Sequence, residues 1–256
     1  MWISKIYTRI AAISLLSLAS AAQLWAQENA GEIDSFNRSL GLEGLGTDLA
    51  SVERELQHGS PASTPESPNT ENSKKAPEQK KAPLPPTESF GNLAFRANPA
   101  VTNTVRAYYI SHAATIVNAP SYDTLIHGFN ERFADYGFST HNVGDSFAGF
   151  LIVAWEIMHN ADASNTPAGV RRVRVAVCQI LERRGKAARL TNDNKQKISE
   201  LLKCVAGLEN EVIRRARQAN NPAAIQQAQN QLGKMLLNYG INLWQFRLTD
   251  QGFVTG

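Results

Sequence analysis

Asn142-Val143-Gly144-Asp145-Ser146-Phe147-Ala148-Gly149-Phe150-Leu151-Ile152-Val153-Ala154-Trp155-Glu156-Ile157-Met158 is the stretch that decides the fold. Val143, Phe147, Phe150, Leu151, Ala154, Trp155 and Met158 recur at steps of three and four, the period of a helix with one buried face. Ile152, Val153 and Ile157 fall off that face, so this helix is apolar nearly all round and belongs at the centre of a bundle. Asn142 stands where an N-cap is needed. Asp145, three residues on, is favourable at the positive end of the helix dipole.

The same period extends to both sides. Val101, Val105, Tyr108, Tyr109 and Ile116 define a helix before it, and Leu125, Phe129 and Phe133 a second. After it come Val170, Val173, Val177, Ile180 and Leu181; then Ile198, Leu201, Val205, Leu208 and Val212; then Ile225, Leu232, Met235, Leu236 and Tyr239. Three starts pair a capping residue with proline at the first helical position: Asn98-Pro99, Thr166-Pro167 and Asn221-Pro222. Proline there loses no hydrogen bond and has its φ preset. Ser121, Asn142 and Thr191 or Asn192 cap the others, and Gly137, Gly185 and Gly240 suit as stops. No stretch alternates at period two. The expectation is an all-α compact bundle of about six helices over 90–256, a length one core can support. The tail 241–256, with Leu243, Trp244, Phe246 and Phe253, packs back over it.

Residues 58–89 are dominated by Pro, Ser, Thr, Lys, Glu and Asn, with Leu84 the one large aliphatic. Such a stretch buries too little apolar surface to offset its ordering entropy, so it reads as a disordered Pro/Ser/Lys-rich linker. Residues 27–57 form an N-terminal tail in which Leu49, Val52 and Leu56 recur at helical spacing behind Thr47 and Asp48. That is enough for one short helix, marginal alone in water. Residues 1–26 carry Lys5 and Arg9, an uncharged run from Ile10 to Ala22, and a small-residue exit at Ala26. These are the parts of a cleavable signal peptide, and the run is shorter than the ~20 residues a membrane span needs. An uncleaved tether is the alternative. Nothing later approaches a span, so the mature chain is expected without a transmembrane helix, in the periplasm or secreted. The mean hydropathy of -0.29 and net charge of +3 fit a soluble domain. Mild basicity together with export argues against a nucleic-acid partner.

Cys178 and Cys204 fall in the fourth and fifth helices, either side of a turn near Gly185. If those helices form an antiparallel hairpin, an oxidising compartment favours a disulfide, which would stabilise by about 3–4 kcal/mol. The alternative is two buried thiols.

No catalytic motif is complete, so catalysis is not the leading expectation and no cofactor is implied. Gly144-Asp145-Ser146-Phe147 resembles the nucleophile block of Gly-Asp-Ser-Leu hydrolases. Yet no strand precedes Ser146 and no Asp-x-x-His block follows to supply acid and base. Glu156-x-x-His159 puts two ligand-type side chains on one helix face, half of a di-iron pattern whose second half is missing. A cell-envelope hydrolase, or a metal-dependent enzyme built from Asp145, Ser146, Glu156 and His159, is therefore the alternative function. The stronger signal is basic. Between Arg171 and Arg217 there are thirteen Lys and Arg against five Asp and Glu. Arg171, Arg172 and Arg174 lie in the first turns of the fourth helix, where cations oppose the dipole, and Arg183 and Arg184 close it. Arginine's planar fork suits carboxylate and phosphate. The expected function is a binding module that meets an anionic envelope component or a protein through this basic helical hairpin; the oligomeric state is not encoded in these patterns.

The leader, the linker, the segment 138–155 around Asn142-Val143-Gly144-Asp145-Ser146-Phe147-Ala148, the arginine-rich helix after it and the ending Leu248-Thr249-Asp250-Gln251-Gly252-Phe253 together resemble a bacterial family of exported helical proteins known only as a domain of unknown function. The similarity covers 90–256. It implies fold and compartment, and no activity, ligand or catalytic residue.

Overall fold

The computed structural model describes residues 90–113, 118–238 and 240–256. The signal peptide, tail and linker expected at 1–26, 27–57 and 58–89 lie outside the described residues. Six α-helices follow one another: α1 (Pro99–Ala113), α2 (Tyr122–Ala134), α3 (Val143–His159), α4 (Pro167–Arg184), α5 (Asn192–Gln218) and α6 (Pro222–Asn238). The described residues are all-α but for one short hairpin and an isolated bridge between Ala94 and Asn142, and no helix among them is long and apolar enough to cross a membrane.

Local chemistry sets the helix ends. Asn142 Oδ1 accepts from the amides of Gly144 at 2.8 Å and Asp145 at 3.2 Å. Ser121 Oγ accepts from Thr124 at 3.1 Å, Thr191 Oγ1 from Asn194 at 3.2 Å, and Asn98 Oδ1 from Ala100 at 3.0 Å. Each satisfies an amide that the first turn leaves without a partner. Thr166 is the exception: its side chain does not cap α4, and Pro167 alone marks the start. α3 stops at Asn160 in the left-handed region (φ 49°), a conformation asparagine tolerates, and α4 stops at Gly185 (φ 69°).

α3 is the central helix: every residue from Val143 to Met158 is buried. α4, α5 and α6 all pack on it, and α1 and α2 pack on α5. A second, smaller apolar cluster joins Val105, Tyr109, Tyr122, Leu125 and Cys204 where α1 and α2 meet α5.

Two sequence expectations fail, both for tertiary reasons. α4 and α5 do not form a packed hairpin; each lies against α3. Cys178 therefore points at the start of α3, Cys204 at α1 and α2, and both thiols are free and buried. The expected Cys178–Cys204 disulfide is absent. The C-terminal tail also contains strands: β1 (Phe246–Thr249) pairs antiparallel with β2 (Gly252–Thr255), Phe246 opposite Thr255 and Thr249 opposite Gly252. Four-residue strands are too short for a clear alternation, and a lone two-stranded hairpin is marginal in water. Docking sustains it: Trp155 Nε1 donates to the Phe246 carbonyl at 2.9 Å, and Gly169 of α4 lets the Thr249 carbonyl approach to where a Cβ would sit only 2.1 Å away.

Candidate functional site

The start of α3 holds a buried polar cluster. Asp145 is 1% exposed and takes Arg174 Nε at 2.7 Å and Arg174 Nη2 at 3.2 Å. The Ser139 amide donates to its second oxygen at 2.7 Å, and the Cys178 thiol lies 3.5 Å from the first. Arg174 is itself 6% exposed and sits over the rings of Phe90 and Phe138, with ring centroids 5.6 and 5.8 Å from its guanidinium carbon. This is a paired, hydrogen-bonded buried charge, the form in which burial is tolerated. It ties α3, α4 and the loop 138–142 together. Burial, then the Asp145 carboxylate beside it, hold the Cys178 thiol far above its ordinary value, so it is an inert thiol.

Ser146 is also buried. Its hydroxyl bonds to the Asn142 carbonyl at 3.1 Å and to Ser199 Oγ at 2.6 Å, and no histidine or carboxylate among the described residues accepts from it. That geometry joins α3 to α5; a nucleophile needs a base within hydrogen-bond reach. Glu156 and His159 share a helix face but turn to different partners. Glu156 pairs with Arg132 of α2 and accepts the Ala163 amide at 2.8 Å. Burial pushes its carboxyl up, and Arg132 opposes the push. His159 Nε2 meets the Leu243 carbonyl at 3.0 Å, and its ring stacks on Trp155 with centroids 5.1 Å apart. Among the described residues no group of three or more His, Cys, Asp or Glu is placed to hold a metal ion.

The basic side chains divide sharply. Arg174 belongs to the core pair and leaves the exposed face to which the sequence assigned it. Arg214 and Arg215 both pair with Glu211 at 2.6 Å, and Arg217 donates to Asn160 at 2.8 Å. Lys195 and Lys203 are buried and donate to the carbonyls of Asn92 at 2.5 Å and Thr140 at 2.8 Å. Burial pulls the Lys203 ammonium down to about 8, with Glu200 and Asp145 resisting. Arg171 and Arg172 remain at the N-terminal turns of α4, half-buried and exposed, with no carboxylate partner among the described residues. Arg172 Cβ lies beside the hairpin turn, 3.3 Å from where a Cβ on Gly252 would be. Arg183 is exposed and Arg184 half-buried at the other end of α4, where the dipole favours cations; Lys186 and Arg189 are exposed just beyond. The half-buried Val175, Ala176 and Gln179 lie between the two groups. From 167 to 191 there are seven cations, and Glu182 is the one carboxylate.

Sequence inspection missed the partners that hold these groups: Arg132 for Glu156, Ser199 for Ser146, Thr140 for Lys203. No local pattern signals them. Arg132 stands 24 residues from Glu156, and Ser199 stands 53 from Ser146.

A model of one protein family, described only as a family of unknown function, matches residues 59–256, reaching into the segment expected as a linker. No curated protein and no solved structure matches the chain.

Proposed function

The chain belongs to that family, DUF6683, and we propose that it is an exported helical binding module whose exposed α4 face meets an anionic partner. The observation that carries this is the pair Arg171 and Arg172. They sit at the positive end of a helix, where each exposed cation costs roughly 0.3–1 kcal/mol, and no carboxylate among the described residues offsets them. Arg174, Lys195 and Lys203 find their partners inside the fold, and Arg171 and Arg172 are the two that this reading assigns to an outside ligand. Guanidinium groups at one end of α4 and cations at the other fit an extended anion bearing carboxylate, phosphate or sulfate groups. The charged, apolar and small-residue parts of 1–26 support the export half of this reading, under which such a partner belongs to the cell envelope.

The test uses heparin, a sulfated polyanion, as probe. Arg171→Glu with Arg172→Glu should weaken binding at low salt, and wild-type binding should fade as salt screens exposed charge. The paired Arg214→Glu serves as the control. Equal binding by wild type and the double variant would sink the proposal.

A further inference from the structure

Two of the three large apolar side chains that the described residues leave exposed stand at the end of the bundle where Arg171 and Arg172 begin α4. They are Leu237, 49% exposed, and Trp244, 43% exposed; the third, Ile110, lies on α1. Trp244 belongs to the turn Leu243–Gln245 and leans on His159, the last residue of α3, with ring centroids 5.7 Å apart. Gly233 of α6 makes its seat: a Cβ there would meet Trp244 Nε1 at 2.8 Å and Met158 Cε at 3.4 Å. The indole thus rests its pyrrole edge on α6, fixed in place while nearly half of the residue meets solvent. Leu237 follows Gly233 by one turn on the same helix face, and the exposed Lys234 is its neighbour three residues back.

The hairpin joins this patch to the arginines. The Thr249 carbonyl closes on Gly169, and Gly252 on Arg172. Trp244 is five residues from Thr249, about 17 Å of extended chain at most, and Arg247 is exposed between them. At this end the exposed or half-buried cations Arg171, Arg172, Lys234 and Arg247 outnumber the exposed carboxylates Asp162 and Asp250. Asp162 is already engaged, accepting the Ser164 amide at 2.8 Å, and α6 carries no Asp or Glu. A soluble polyanion would use the arginines and leave Leu237 and Trp244 idle. A bilayer uses both: its phosphates take the guanidinium groups, and its headgroup layer is where tryptophan rings settle and apolar side chains find hydrocarbon.

We infer that the end of the bundle formed by Arg171, Arg172, Lys234, Leu237 and Trp244 docks on an anionic phospholipid surface. This rests on the anion-binding role proposed for Arg171 and Arg172 and names its ligand as lipid headgroup phosphate. The contact is peripheral: the cations lie over the phosphates, and the indole and Leu237 enter between headgroups. Each cation near an anionic surface strengthens binding about fivefold, and the attraction falls off within a Debye length.

The test uses the chain from residue 27 onward, the mature form under the export reading, so that the apolar run 10–22 contributes nothing. Vesicles of phosphatidylcholine with about 30% phosphatidylglycerol are compared with phosphatidylcholine alone. Binding is read by co-sedimentation and by tryptophan emission; Trp155 is buried, so a change reports Trp244. The protein should bind the anionic vesicles only, and added salt should release it. Trp244 emission should shift to shorter wavelength and be quenched by lipids brominated on their acyl chains. Arg171→Gln with Arg172→Gln should weaken binding about 25-fold, and Trp244→Ala about tenfold. Leu237→Asn, which leaves the Trp244 seat intact, should weaken it several-fold, and Ile110→Asn on α1 should change nothing. No binding to anionic vesicles, or binding that leaves the emission unmoved and ignores Leu237→Asn, overturns the inference. If heparin binding needs Arg171 and Arg172 while anionic vesicles are not bound, the partner is a soluble polyanion; the lipid role is refuted and the basic face stands. If neither heparin nor vesicles respond to those arginines, the anion-binding role fails and the lipid role fails with it.

Discussion

Replacing Asp145 by alanine strands Arg174 in the interior. The guanidinium is 6% exposed and both of its bonds to a carboxylate disappear; the Ser139 amide loses its acceptor as well. Removing one partner of a buried pair costs about 3–5 kcal/mol because the other charge stays desolvated. Domains of this size are stable by about 5–15 kcal/mol, so the loss is a large share of the total. With a urea slope of about 2 kcal/mol/M, the unfolding midpoint followed by circular dichroism at 222 nm should fall by roughly 2 M at unchanged slope. The companion experiment removes both charges. Asp145→Ala with Arg174→Met leaves only the orphaned Ser139 amide, a penalty of about 1–3 kcal/mol, so the double variant should be more stable than Asp145→Ala alone. A midpoint shift under ~0.5 M for Asp145→Ala, or a double variant that loses the sum of both single changes, would refute the idea that this pair anchors α3 to α4.

Three further outcomes follow from the packing. Gly169→Ala puts a Cβ 2.1 Å from the Thr249 carbonyl oxygen, a backbone atom that cannot swing aside; the hairpin should shift off α4 at a cost of about 1–3 kcal/mol, read by the indole N–H resonance of Trp155, and an unmoved resonance would contradict this. For Lys203, burial lowers the folded-state ammonium from the ordinary 10.5 to about 8. Between those values the unfolded chain holds a proton that the folded chain lacks, so wild-type stability gains with rising pH, while below 8 both states are protonated and the fold carries the whole cost. The stability of Lys203→Met relative to wild type should therefore fall by about 3 kcal/mol from pH 7 to pH 11, and a pH-independent difference would exclude the buried ammonium as the cause. Cys178 and Cys204 should show no mobility change on non-reducing gels and should react with a thiol reagent only after denaturation; a reducible mobility shift would mean that they meet.

The helices were legible because their signals are local. Apolar period, Asn-Pro and Thr-Pro starts, and glycine or asparagine stops act within a turn or two of where they stand. The all-round apolar character of 143–158 even announced which helix is central. The candidate site was far less legible. Arg171, Arg172 and Arg174 look alike in sequence, yet about 100° of helical rotation per residue sends Arg174 inward to Asp145 and leaves Arg172 at the surface. The hairpin was missed because its stability comes from Trp155 and α4, far away in sequence.

What the amino-acid order alone determined is the set of helices, their ends and the depth of α3, since each depends on neighbours within four residues. Tertiary structure decided which charges are spent inside and which face outward, and it parted the two cysteines by setting α4 and α5 separately against α3. Those outcomes depend on side chains meeting across tens of residues, and no local periodicity encodes such meetings.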